Sequence, residues 1–273
     1  MRSNDYSPNS MFRVLFKHRN LIYICIKREV LGRYRGSLVG LLWMLINPII
    51  MLTIYTFIFS IIFPSRMIND PTITAVKLPL MIFISMIIFN LFSECINRAP
   101  HLILTHKNYV TKLIFPLEIL SIIDFGASFF QFSINFIIWA IVYTNSFGIS
   151  AYSFIYFTLV ILPFICIIVG LSWIISSVGV YVRDIGQLIF FITNMLLFLS
   201  PIFYNIDTIP FPYRRYLYLN PLATIIEQTK NIFFERSEPN WNSIFILNIA
   251  SLSLLYFGYI FFQRLRGGFS DVL

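Results

Sequence analysis

Four cations, Lys27, Arg28, Arg33 and Arg35, crowd the residues just ahead of a long apolar run, and Asn47-Pro48 interrupts that run. Guanidinium and ammonium groups in that position have one ready chemistry, the attraction of anions. Beside a membrane span the anion at hand is a lipid headgroup, worth about 1 kcal/mol per nearby cation. The rest of the chain supplies little that is reactive. No Gly-x-Ser-x-Gly or His-Glu-x-x-His occurs, and no nucleophile stands beside a base. There is no Walker A loop, Gly-x4-Gly-Lys-Ser/Thr, so any ATP that is used must be bound by another chain. His101 and His106 miss the i, i+4 spacing that brings two imidazoles to one helix face, and no carboxylate completes a set, so no metal site is expected. Cys25, Cys95 and Cys166 are scattered and odd in number, which predicts neither a disulfide framework nor a zinc site.

The elements that position these groups follow from composition. The chain is 58% hydrophobic and 12% charged, where a soluble domain carries about 25% charged residues. It reads as an integral membrane protein. Stretches without Asp, Glu, Lys or Arg cover Gly36 to Ser65, Leu78 to Ser93, Phe125 to Val182, Ile185 to Ile206 and Asn242 to Gln263. A helical crossing needs about 20 apolar residues, so the Phe125 to Val182 stretch holds two, divided by the turn formers of Thr144 to Ser150. Six transmembrane helices are predicted, over 38–63, 78–95, 117–143, 152–178, 186–204 and 243–262, in a single all-α domain over 1–273. An even number puts both termini on one side. Of the 20 Lys and Arg, only Arg66, Lys77, Arg214, Arg215, Lys230 and Arg236 fall on the opposite face, which predicts cytoplasmic termini. The first apolar stretch follows polar and basic residues and shows no cleavage site, so it is expected to stay as an anchor rather than leave as a secretory leader. The net charge of +8 is read as a topology and lipid-surface signal, not as nucleic-acid binding.

Outside the spans, Met11 to Tyr34 mixes apolar and basic residues. This suits either a helix lying in the cytoplasmic interface or a plain positive anchor. The second loop, Asn97 to Pro116, is helix-compatible around Leu102 to Leu113 and carries Arg98, His101, His106, Lys107 and Lys112. Composition alone favours a solvated basic loop there over a docking helix. The outer loop Asn205 to Trp241 is too apolar for a plain surface loop. Its prolines divide it into units at Pro212 to Leu219 and Pro221 to Phe233, each short enough to be re-entrant. Glu118 and Asp124 are acids within a predicted crossing. Pro116 at a helix start puts Glu118 in the first turn, where the dipole favours it, and Asp124 is expected to pair with a cation such as Lys112. In the first span, Gly36 and Gly40 form a Gly-x-x-x-Gly pair that predicts close helix approach. Trp43, Asn47, Ile50, Ile54 and Phe57 follow on one face, which must meet protein, water or cargo because Asn47 is costly in lipid. Pro48 permits a kink.

Three stretches in register resemble a known family. "RYRGSLVGLLWMLINP" at Arg33 to Pro48, "YVRDIGQLIFFITNMLLFLSPIFYNIDTIP" at Tyr181 to Pro210 and "LNPLATIIEQTKNIFF" at Leu219 to Phe234 are similar to type-2 ATP-binding-cassette permeases that export polysaccharides. That group has O-antigen, capsule and teichoic-acid members. The chain departs from the family pattern at Leu31, where a basic or polar residue is usual, and at Lys230, where Arg is common. The resemblance implies a homodimer in the bacterial inner membrane, joined below by two copies of a separate ATPase that binds ATP and Mg, with no cofactor on this chain. It also implies an interface helix at the N-terminus and a coupling helix in the second loop. With Arg183 and Asp184 of the fourth-to-fifth turn, Arg98, His101, His106, Lys107 and Lys112 become ATPase-coupling candidates. The outer units correspond to re-entrant gate segments.

The implied cargo is a lipid-linked polysaccharide, most of all O-antigen. Its diphosphate is a candidate partner for Lys27, Arg28, Arg33 and Arg35 at the substrate entrance, beside the competing role of anchoring to membrane lipids. Trp43, Asn47, Tyr55, Phe198 and Tyr204 are channel candidates, because flat rings slide past sugar faces; lipid contact and interfacial belts compete for the same rings. Two other classes stay open: an exporter of a different cargo such as capsule, teichoic acid or a drug, and a membrane-embedded glycan or lipid transferase. The dispersed acids argue against the transferase.

Overall fold

The computed structural model describes residues 8–33, 35–36, 39–59, 71–111 and 115–273, and every regular element among them is helical. A chain this apolar has no other economical choice in hydrocarbon, because a helix satisfies its own backbone groups. Two helices, α1 (Pro8–Lys17) and α2 (Arg19–Arg33), precede α3 (Trp43–Phe57) and α4 (Pro71–Arg98). The short α5 (Leu102–Thr105) and α6 (Lys107–Thr111) follow, then the long α7 (Ile119–Phe147) and α8 (Ala151–Tyr181) and the shorter α9 (Ile185–Leu199). Two further short helices, α10 (Phe211–Leu217) and α11 (Pro221–Lys230), precede α12 (Trp241–Leu265) and α13 (Phe269–Val272).

Among the described residues, five helical stretches are long and apolar enough to cross a membrane: Gly40–Phe57, Val76–Thr105, Ile119–Phe147, Ala151–Tyr181 and Trp241–Val272. The predicted crossing over 186–204 is shorter than expected. It ends at Leu199, because Ser200 precedes Pro201 and takes an extended backbone, as residues before proline do. Fifteen residues rise about 22 Å, less than the ~30 Å of hydrocarbon. Elsewhere the bounds move outward: α4 and α12 extend beyond 78–95 and 243–262. Leu38 and residues 60–63 of the first predicted span lie outside the described residues. Gly148, at φ 81°, closes α7 where a divider is predicted.

Close helix approach is real but sits elsewhere than predicted. Gly36 and Gly40 have positive φ, 90° and 55°, and a Cβ on either would meet nothing within 4 Å. These glycines serve the turn ahead of α3, not helix packing. The tight crossing joins α8 and α12. A Cβ on Gly258 would sit on the carbonyl of Gly170, and one on Gly170 would lie 2.9 Å from the Leu254 carbonyl oxygen. Gly179 likewise receives the Pro100 carbonyl, fixing the turn after α4 against α8.

Part of the aromatic content forms an internal ladder, while many other rings are exposed. Phe125, Phe129, Phe132, Phe136, Trp139, Tyr143 and Phe147 recur at helical spacing and stack along α7, with neighbouring ring centroids 4.9 to 6.1 Å apart. Phe233, just beyond α11, meets Trp139 edge-on at 4.7 Å, and the Tyr143 hydroxyl donates to the Phe233 carbonyl. The Trp139 indole donates to the Leu80 carbonyl at 2.9 Å. Buried rings with satisfied polar tips thus clamp the segment that follows α11 to the bundle.

Candidate functional site

Three helices bring charged and polar side chains together at one end of the bundle. On α2 the pair is Glu29 and Arg33, on α4 Glu94 and Arg98, and on α7 Asp124 and Ser128, each pair one turn apart on one face. Arg33 pairs with Glu94, places Nη2 3.2 Å from Ser128 Oγ and lies 3.9 Å from Asp124. Arg98 pairs with Glu29 and lies 3.8 Å from Glu94. Its Nε is 3.1 Å from Asp124 Oδ1, within ion-pair range but off the hydrogen-bond direction, which leaves that buried oxygen without a bonded donor. A lone carboxylate at the edge of hydrocarbon is costly, and two guanidiniums offset the burial of Asp124. A cleft of about 200 Å³ adjoins the cluster, lined by Glu29, Arg98, Asp124, His101 and His106 among others.

The four entrance candidates divide. Lys27, Arg28 and Arg35 are exposed, whereas Arg33 is drawn into the ion-pair network. The face of α3 that must meet something other than lipid is turned away from the rest of the chain: Trp43, Asn47, Ile50, Ile54 and Phe57 are all exposed, while Pro48 is buried. Of the remaining channel candidates, Tyr55 rests against Phe83 with ring centroids 6.3 Å apart. Phe198 is exposed, and the Tyr204 hydroxyl donates to its carbonyl at 3.3 Å.

The coupling candidates also divide. Arg98 points into the charge cluster. His101 is exposed beside α9, where a Cβ on Gly186 would lie 2.8 Å from its Nε2. His106 Nδ1 is 2.9 Å from the Leu102 carbonyl oxygen, and its ring stacks on Tyr109, which stacks on Phe115 at 4.5 Å. Lys107 is exposed, as are Arg183 and Asp184 in the turn between α8 and α9. Lys112 lies outside the described residues. The second loop is therefore two short helices rather than a solvated loop, and Leu102 and Ile103 share a buried cluster with Met11 of α1 and Phe269 of α13.

Asp124 pairs with Arg98 and approaches Arg33; Lys112, the cation the sequence suggests for it, lies outside the described residues. Glu118 stands just ahead of α7 without a side-chain capping bond, and pairs with Arg266 at 2.8 Å. Sequence reasoning passes over Glu29 and Glu94. The available signal is the spacing of Glu29 to Arg33 and of Glu94 to Arg98, each i, i+4. It also undervalues Lys230. This side chain is buried, and its ammonium donates to the carbonyls of Pro201, Ile202 and Tyr204, capping the turn beyond α9. Burial pulls its pKa down to about 8. Among the described residues no three His, Cys, Asp or Glu converge as metal ligands do.

Long apolar helices, with ionisable groups gathered between helices at one end, define a multi-span membrane protein. Residues 20–234 match the ABC-2 type transporter family, and the chain belongs to it. It is 24% identical over 266 residues to the O-antigen export system permease protein of Myxococcus xanthus, covering 96% of this chain and 98% of that one. A Klebsiella pneumoniae protein of the same description is 23% identical over 93% of this chain and 95% of its own length. The capsule polysaccharide export inner-membrane protein of Neisseria meningitidis is 24% identical over 97% and 98%.

Proposed function

We propose that this chain is the membrane-spanning subunit of an ATP-driven exporter that moves a lipid-linked polysaccharide, O-antigen above all, from the cytoplasmic to the outer face of the bacterial inner membrane. The observation that carries this is the end-to-end similarity, over 93% or more of the chain, to permeases of O-antigen export. The capsule-export relative, matched over 97% of the chain, supports capsular polysaccharide as the second reading. ATP and Mg are held by two copies of a partner ATPase, and this chain works as a dimer with a second copy of itself. The exposure of α3 and α9 supports the dimer: only Met44 and Pro48 are buried in α3 and only Thr193 in α9. In this reading α9 and the turn after it form a sixth crossing, both termini are cytoplasmic, and α1 and α2 lie in the cytoplasmic interface. The segment from His101 to Lys107, with Arg183 and Asp184, meets the ATPase, while α10 and α11 dip back from the outer face.

Exposed Lys27, Arg28 and Arg35 receive the carrier diphosphate through charge-assisted hydrogen bonds. Arg33 holds the interface helix to α4 and α7. The test is reconstitution of this chain with its ATPase in proteoliposomes. Lipid-linked glycan should raise ATP hydrolysis and become accessible to a glycosidase on the far side. Hydrolysis indifferent to glycan, with no glycan crossing, would sink the proposal.

A further inference from the structure

α8, α11 and α12 border an open groove of about 570 Å³, walled by Ile167, Leu171, Ile246, Leu247 and Leu254. At one end it shares Tyr218, Thr224 and Ser243 with a second chamber of about 550 Å³. The lining there changes character, to Glu227, Gln228, Asn231, Glu238 and Asn240. From Ser243, where the two meet, to Leu254 α12 rises about 16 Å, half of a ~30 Å hydrocarbon layer. An apolar lane one leaflet deep, with a polar chamber at its mouth, has the form of an amphiphile.

In a membrane the groove takes up a hydrocarbon chain, and the chamber selects the headgroup that comes with it. Its charges are Glu227 and Glu238, and no Lys or Arg lines it. Glu227 accepts from the Tyr218 hydroxyl and Glu238 from the Trp241 indole, each at a long 3.4 Å. A carboxylate has about four lone-pair sites, so these bonds leave each able to accept from a further donor. Lys230, one turn on from Glu227, turns its ammonium to the carbonyls of Pro201, Ile202 and Tyr204. A headgroup with net negative charge, phosphatidylglycerol or a diphosphate carrier, is repelled by both carboxylates. A glycan without its lipid gains nothing from the apolar lane. A headgroup ending in an ammonium meets two opposite charges and supplies the donors they accept.

The geometry points to a binding site for phosphatidylethanolamine between α8, α11 and α12, its ammonium at Glu227 and Glu238 and one acyl chain in the groove. It rests on residence in a membrane and not on the cargo reading, so the two stand or fall apart. To test it, the full chain is purified in detergent and exchanged into an equimolar mixture of phosphatidylethanolamine and phosphatidylglycerol, and the lipid it keeps is weighed by native mass spectrometry. The ethanolamine lipid should be retained several-fold over the glycerol one. Glu227→Gln with Glu238→Gln, near-isosteric and neutral, should abolish that preference. Ala250→Trp places a ring in the groove from an exposed position and leaves the carboxylates alone. It should cut retention of the ethanolamine lipid several-fold. Equal retention of the two lipids by the wild type would overturn the site, as would a preference that survives the double glutamine variant or retention that Ala250→Trp leaves unchanged. A wild type that keeps neither lipid would show the groove covered by protein, and would overturn it too.

Discussion

Arg33 and Lys27 are cations of one helix with different surroundings. Lys27 is exposed, whereas Arg33 has partners on two other helices. Arg33→Gln leaves both Glu94 and Asp124 with Arg98 alone. Losing one partner of a fully buried pair costs about 3–5 kcal/mol. Side-chain exposures of 18% for Arg33 and 35% for Glu94 bring the expected loss to about 2 kcal/mol, seen as a lower thermal midpoint in detergent and less protein in the membrane. Combining it with Glu94→Gln should cost less than the sum of the two. Lys27→Gln and Arg35→Gln should leave the midpoint unchanged and reduce export. A midpoint unmoved by Arg33→Gln would show that the network does not hold the fold. Lys230 is the second residue of this kind. Lys230→Met leaves buried carbonyls beyond α9 without a donor and should cost about 1–3 kcal/mol in the same melting assay. Lys230→Arg, which keeps donors and charge, should lie nearer the wild type.

Among elements, the α8–α12 crossing and the turn after α4 depend on missing side chains. Gly258→Ala and Gly179→Ala each push a methyl into backbone that cannot step aside, and each should cost about 1–3 kcal/mol. Gly267→Ala, with open space around it, should stay within a few tenths. A Gly258→Ala protein that melts with the wild type would contradict the close crossing. The long helices were legible in the sequence because a hydrocarbon layer demands uninterrupted apolar stretches, and the Thr144 to Ser150 divider fell where the chain turns. What joins helices was not legible. Arg33 and Glu94 are 61 residues apart and Arg98 and Glu29 are 69, and no local spacing reports which helix faces which. Gly36 and Gly40 have the spacing of a packing motif, yet their positive φ gives them a turn to make instead. The aromatic ladder of α7 was not legible either, since composition cannot separate rings packed in the core from rings lining a conduit.

For the whole molecule, burial is uneven. α4 and α8 are wrapped by other helices, while α3 and α9 show most of their surface. A chain that leaves Asn47 on such a surface needs water, cargo or a second copy there. Charge is gathered at the end where α2, the second loop and the chain terminus meet, which suits a partner that drives the bundle from that side. Phe198→Ala, on an exposed face, should therefore leave stability within about 0.5 kcal/mol of wild type. It should instead reduce export, which surface-glycan staining of complemented cells would read. The central claim is that this chain carries lipid-linked glycan across the inner membrane. Its most direct test is to delete the gene in its own host and measure glycan at the cell surface and lipid-linked glycan held inside. The account predicts surface loss with internal build-up, both reversed by this chain only when its ATPase is active. Unchanged amounts in both places, in a host with no second exporter, would contradict it.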